Sequence, residues 1–388
     1  MNPESALLLA SVRECLGTAG DGEVAAALRA PIDWPGFLKM AEAHAITPLA
    51  YAALERAGNS VPTLALELLR RSFQVNVVRN LALTGELLRL LCLFERQRIP
   101  AVPFKGPALA CAIYGSLALR AFDDLDILVR REDFTRAGEL LGVHGYRPET
   151  HLDRPQERMR FHWNGQLTFA RGDQLVHVDL HWDLTPRHFP IANRQEAIWR
   201  NLAPVRVAGR QVLTLSPEDS VLYLCAHGSK HVWRRLAWLC DLTALIQRHE
   251  IDWRQVLAAA KGGEHTLALG LRLASEILGL RVPAEISAGV ASNIAATTLT
   301  KQIQSGMFQF SGCPVSTRDT FLFNARIARG PWRRFLYGLG LLALPTEADW
   351  SAVQLPCALS FLYYPLRLVR LALKYGKAAC SATAVPMS

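Results

Sequence analysis

Eight cysteines are scattered along 388 residues, yet no two of them form a C-x-x-C pair or a metal-type spacing. That excludes zinc-ribbon and thioredoxin-type frameworks and leaves most of the cysteines as small hydrophobes in a reducing cytoplasm. No run of about 18 uncharged apolar residues occurs, which argues against a spanning helix. The opening MNPESALLLASVREC has no basic leader and no A-x-A cleavage site, and Glu4 and Glu14 predict a soluble helix there instead of a signal peptide. Serine-nucleophile elbows, Walker loops, dinucleotide fingerprints and the glutamate of a zinc-protease helix are missing as well. There is no internal repeat and no low-complexity linker.

What the chain has in quantity is apolar residues, 50% of the total against 20% charged, the balance of a well-buried globular protein. Its length predicts two or three compact units. A net charge of +9 favours an anionic partner, whether nucleotide, nucleic acid or membrane surface. Much of this charge is local: from Arg318 to Lys377 nine basic residues face three acids.

Hydrophobic spacing divides the chain into three regions. Residues 1–98 read as helical, with a helix over 34–44 after Asp33 and a longer one over 63–98. Along the latter, Leu66, Leu69, Phe73, Val77, Leu81, Leu88 and Leu91 form an apolar stripe interrupted by Thr84. Residues 99–215 alternate short β-like runs with helices: strands at 99–104, 125–129, 166–171 and 175–182, helices at 107–114 and 132–143. A hairpin of 205–207 with 211–215 closes this α/β core. Residues 216–388 are helical again from the Ser216 N-cap onward, with 310–316 as a loop. The segment 356–373 is apolar, carries Arg367 and Arg370, and contains Pro365, expected to kink a helix. It reads either as a helix covering the core or as a basic, apolar end that docks on a membrane surface or a partner protein.

Chemistry concentrates in three stretches: Phe104-Lys105-Gly106, the run Arg120 to Val129 with its D-x-D, and Val176 to His181. Alternate residues of a strand share a face. Asp124 and Asp126 therefore point one way while Leu125, Ile127 and Val129 point into the core. On the later strand His177, Asp179 and His181 share the face opposite Val176, Val178 and Leu180. Three converging carboxylates raise each other's pKa, and a divalent cation such as Mg²⁺ resolves that conflict while also taking substrate phosphates.

These stretches resemble the nucleotidyltransferase superfamily, and specifically a bacterial group of uncharacterised nucleotidyltransferases. The similarity is carried by FKGPALACAIYGSLALRAFDDLDILV, by V-D-L-H-W, and by H-x-x-K-H followed by W-L-x-D-L. It extends to I-D-W…H…P-L-A-Y near the start and A-D-W…L-P…L-R-L near the end. The resemblance implies an α+β fold: a small mixed-sheet, polymerase-β-like palm flanked by N- and C-terminal helical regions. It implies that Asp124 and Asp126 hold Mg²⁺ or Mn²⁺, that Asp179 completes the site, and that a nucleoside triphosphate, ATP first, is the co-substrate. The acceptor it suggests is a peptide or a glycan-related molecule.

One departure bears on the donor. The superfamily usually opens the helix before D-x-D with Gly-Ser or Gly-Gly, whereas this chain has Lys105-Gly106 there. Backbone N–H groups at that turn, with the Lys105 charge, still suit phosphate. Gly115-Ser116 reads either as a helix terminator or as the displaced phosphate turn. Lys105 has two readings, a phosphate contact or a bridge to Asp123 or another acid, and Arg120 could brace a carboxylate or a phosphate. His227, Lys230, His231 and Arg234, at i, i+3, i+4 and i+7, would share one helical face. They either grip the triphosphate or an anionic acceptor, or form a solvated face with the histidines against Trp233 or Trp238. His181 is expected to touch substrate or to form the pocket wall, and Asp241 to pair internally with an arginine or lysine. Three activities follow in order of support: nucleotidyl transfer, phosphoryl transfer at the same site, and a non-catalytic binding subunit. The setting is cytoplasmic, with peripheral membrane attachment as the alternative.

Overall fold

A computed structural model describes residues 2–150, 154–172, 175–186, 195–308, 317–328 and 331–382. The 310–316 loop expectation lies outside these residues, as do the side chains of Arg318, Arg329, Arg333, Lys374 and Lys377.

The centre is a five-stranded mixed sheet in the order β1-β2-β5-β4-β3, where β1 is Ala101–Pro103, β2 Asp124–Val129, β3 Tyr146–Pro148, β4 Gln166–Arg171 and β5 His177–His181. The pair β2 and β5 is parallel, and the other neighbours are antiparallel. Strands β6 (Ala203–Val207) and β7 (Arg210–Thr214) form a separate hairpin. It is tied to the sheet edge by Thr214 Oγ1, which donates to the Pro103 carbonyl at 2.8 Å. Helices flank the sheet on the N- and C-terminal sides, giving the α+β class the sequence implied. Sequence spacing missed β3, three residues whose strand character comes only from pairing with β4.

Two apolar cores hold these layers. One combines Leu7, Leu54 and Leu69 with Leu239, Leu269 and Leu273 from beyond the sheet, and reaches Phe104 and Leu128. The first and last helical regions thus pack on each other, and Arg13 fastens them by donating to the Ile277 carbonyl. The other core buries Leu87, Leu90 and Phe94 of the Thr63–Arg96 helix against Leu125, Ile127, Val129, Val178 and Leu180. Each fully buried leucine there contributes about 1.5–3 kcal/mol.

The buried face of the long helix differs from the stripe expected from sequence. Leu81 is 55% exposed while Thr84, Asn76 and Asn80 are buried. The cause is polar. Asn80 Nδ2 donates to the carbonyls of Leu117 and Arg120 at 2.6 and 2.7 Å, and Asn76 Nδ2 to that of Ala118 at 3.1 Å. The helix is therefore rotated by the need to satisfy the carbonyls of the loop leading into β2, which a purely apolar periodicity does not register.

Two further expectations are corrected. Pro365 lies in the first turn of the Tyr363–Ala382 helix, where its missing N–H costs no hydrogen bond, so it starts that helix after a short 3₁₀ turn and makes no kink. Arg234 is not on a helical face with His227, because the Pro217–Lys230 helix stops first. Val232 and Trp233 turn left-handed there (φ 57° and 51°), and the Trp233 ring fills space left by two glycines. A Cβ on Gly228 would stand 2.5 Å from that ring, and one on Gly270 would stand 3.1 Å from it.

Candidate active site

Parallel pairing of β2 with β5 sets Asp126 directly beside Asp179, and Asp124 beside His177. The sheet's polar face therefore gathers the carboxylates, while the intervening apolar residues are sealed in the core on the other side. A ligand atom from each of Asp126, Asp179 and His181 lies within 4.8 Å of the others, which is a cluster able to hold a metal ion. Asp124, outside that compact cluster, lines one cavity with Asp179, while Asp126 and His181 are buried beside it.

Each acid has a different environment. Asp126 is buried; its Oδ1 receives Lys105 Nζ at 2.6 Å and lies 3.0 Å from His181 Nε2. Its other oxygen, Oδ2, is buried without a hydrogen bond. Burial alone would raise the Asp126 pKa, but Lys105 and His181 outweigh it and hold the group ionised, well below the usual carboxylate range. Lys105 is the mirror case: burial lowers its pKa, and Asp126 more than reverses that. Asp124 is pushed up to about 6, first by the Asp126 charge and then by burial. Asp179 is fixed from β4, accepting from Thr168 Oγ1 on Oδ1 and Gln166 Nε2 on Oδ2, both at 2.6 Å. His177 is drawn away to Glu149 Oε1 at 2.6 Å.

Facing the acids across a cavity of about 250 Å³ are Tyr223, His227, Lys230 and His231, with Leu184, Thr185 and Pro186 on a third side. The Ser216 side chain caps the helix that carries them, and Trp233 fixes its end through Nε1 donating to Ser229 Oγ at 3.2 Å. His227 and His231 also pack on Trp238, with ring centroids 5.5 and 5.3 Å apart. The packing on Trp238 fits the second reading of this basic face, which also lines the cavity. Burial, then the Lys105 charge, keeps His227 neutral.

Not every candidate reaches the cavity. Arg120 instead makes a buried ion pair with Asp241, Nε to Oδ2 at 2.9 Å, which Tyr114 completes by donating to Oδ1 at 3.1 Å. Asp123 pairs with Arg79, leaving Lys105 to Asp126. Gly106 has φ +50°, and a Cβ there would press to 3.2 Å against the Asp124 carbonyl, so its smallness lets the helix start lie against β2. Gly115 ends the preceding helix in a left-handed cap, with Ser116 Oγ accepting from the Ala118 amide at 3.2 Å. Gln166, Thr168 and Tyr223 were not singled out in the sequence. Polar residues at alternate positions of a predicted strand, and an aromatic one turn before His227, were the available signals.

The matching family is described as an uncharacterised nucleotidyltransferase, and it covers residues 30–279, well over half of the chain. The chain belongs to this nucleotidyltransferase family. The matched span contains every cavity residue above, from Lys105 to His231. No curated protein matches the sequence.

Proposed function

We propose that this nucleotidyltransferase moves a nucleoside monophosphate from an NTP, ATP first, to an acceptor hydroxyl or phosphate and requires Mg²⁺ or Mn²⁺. The observation that carries the reading is acids facing a cation across one cavity: Asp124 and Asp179 on the sheet, with Asp126 buried beside Asp179, and Lys230 opposite them together with the neutral His227 and His231. The buried Oδ2 of Asp126, which has no hydrogen-bond partner, beside Asp179 fits a hard cation. A divalent ion held there supplies neutralisation of phosphate charge and orientation for in-line displacement.

The chain's own groups do the rest. Asp124 and Asp126 hold the ion, and Asp179, fixed by Gln166 and Thr168, completes the site and orients the acceptor. Lys230 and the two histidines bind the phosphates, with Lys105 and the Gly106 turn in support. His181 braces Asp126. Arg120 acts at a distance, by anchoring the loop before β2 to Asp241. In the transfer, the acceptor oxygen bonds to the α-phosphorus, the bond to the bridging oxygen breaks, and pyrophosphate leaves with that electron pair. The acceptor proton passes to a carboxylate and then to solvent.

The acceptor is a peptide or glycan-related molecule in this reading, and the setting is cytoplasmic. No helix among the described residues is long and apolar enough to cross a membrane. Phe361, Val369 and Leu373 are exposed and provide a docking end for a membrane surface or a protein. Incubation with Mg²⁺ and each labelled NTP, with and without peptide and glycan acceptors, tests the activity. An acceptor mass increased by an NMP supports the proposal, an increase by phosphate alone replaces it with phosphoryl transfer, and no product with any NTP refutes it.

A further inference from the structure

We propose that Lys105 is a built-in stand-in for the divalent cation: it neutralises Asp126 in the metal-free protein, yields that carboxylate to the metal, and turns its charge to the triphosphate. The inference rests on the metal-dependent reading above.

Four observations lead to it. Lys105 Nζ sits 2.6 Å from Oδ1 of Asp126, itself one of the three groups able to hold a metal. Asp126 keeps a second, buried oxygen with no hydrogen bond, so the pair is incomplete in a way that a purely structural bridge is not. The ammonium also lies 5.8 Å from the Tyr223 ring centroid and 5.9 Å from that of Phe104, which gives it a resting place as a cation beside two aromatic rings. Finally, Lys105 lines the same cavity as Lys230, His227 and His231, the groups placed for phosphate.

An ammonium and a divalent cation repel at contact distance, so one carboxylate does not keep both. Without metal, Lys105 removes part of the repulsion among three acids and lets the sheet fold. Its backbone is fixed between β1 and the Gly106 turn, while its four-carbon stem has the rotatable bonds needed to re-aim the charge. A lysine suits this exchange better than an arginine, whose bidentate fork would hold the carboxylate more firmly. One side chain thereby links metal occupancy to nucleotide affinity.

The two halves of the exchange move in opposite directions when the charge is removed. Free Mn²⁺ measured by electron paramagnetic resonance gives metal affinity without nucleotide. Lys105→Met should bind Mn²⁺ about tenfold more tightly than the wild type, and with Mn²⁺ saturating should bind ATP about tenfold more weakly. It should also melt lower than the wild type without metal and recover when Mn²⁺ is added. Unchanged or weaker Mn²⁺ binding by a folded Lys105→Met overturns the exchange. A wild-type measurement covers the case in which the variant does not fold. Reaction of Lys105 with an amine-modifying reagent, read by peptide mass, should rise with Mn²⁺ alone and fall again when ATP is added. Reactivity that Mn²⁺ leaves unchanged overturns the proposal, and a wild type that binds no Mn²⁺ with or without ATP overturns the metal reading beneath it.

Discussion

Two buried aspartates in this molecule are surrounded in opposite ways. Asp349 accepts from Arg370 Nε on one oxygen at 2.5 Å, and on the other from Arg367 Nη1 at 2.9 Å and from the Thr346 amide and hydroxyl at 2.7 Å each. Burial would raise its pKa, but these donors win and bring it down to about 2. Asp126 has one lysine and one histidine on a single oxygen, nothing on the other, and two further carboxylates for neighbours. The first node is saturated and fastens the C-terminal helix. The second is left unfinished, as a site is when its last ligand comes from outside.

The comparison breaks most visibly in activity. Asp126→Asn or Asp124→Asn should lower NTP-dependent turnover about a thousandfold or more, because the proposed metal site would lose a carboxylate. Near-wild-type turnover in both variants would remove these residues from the site. Asp349→Ala should do the reverse: turnover per folded molecule stays, while urea denaturation shows a loss of about 3 kcal/mol from breaking a buried pair. Equal stability in that variant would mean that a saturated node is not what holds the C-terminal region.

Lys230→Ala sharpens the account from the other wall. Removing a charge-assisted contact worth about 1.5–3 kcal/mol should weaken NTP binding by one to two decades. The loss should shrink at high salt, because a phosphate contact made by a side chain as exposed as Lys230 would be screened. Unchanged low-salt affinity would take the helix out of the site.

The smallest effect is in metal-free stability. Asp124 has a folded pKa of about 6, above its unfolded value, so between the two the folded state binds the extra proton. Its contribution is present below the unfolded pKa and fades as pH rises through about 6. Asp124→Asn should therefore flatten this part of the pH–stability curve and stabilise the metal-free protein at pH 8 by about 1–2 kcal/mol. A variant less stable than the wild type at pH 8 would show that Asp124 is not under charge repulsion.

What the sequence disclosed follows from the range of the forces involved. D-x-D and V-D-L-H were legible because a strand's two-residue period assigns each side chain a face, and β2 with β5 keeps that alternation. Lys105-Gly106 was legible as a charge at a strand end. The partners were not. That Thr168 faces Asp179 depends on the β4–β5 register, and that Arg120 meets Asp241 depends on two distant segments packing together. The end of the basic helix at Lys230 is set by Trp233 lodging against Gly228 and Gly270, a tertiary fit that local spacing does not encode. For the same reason the long helix turned its Asn76–Asn80 face inward.

The central claim is that the acids of β2 and β5 form a divalent-metal site that also receives the triphosphate. Crystals grown with Mn²⁺ and a non-hydrolysable ATP analogue, measured at the manganese absorption edge, test it directly. The account predicts an anomalous peak within coordination distance of Asp126 and Asp179, phosphates facing Lys230, and Lys105 Nζ withdrawn from Asp126. No peak at these acids, with Lys105 still bonded to Asp126 and the analogue bound elsewhere, would contradict it.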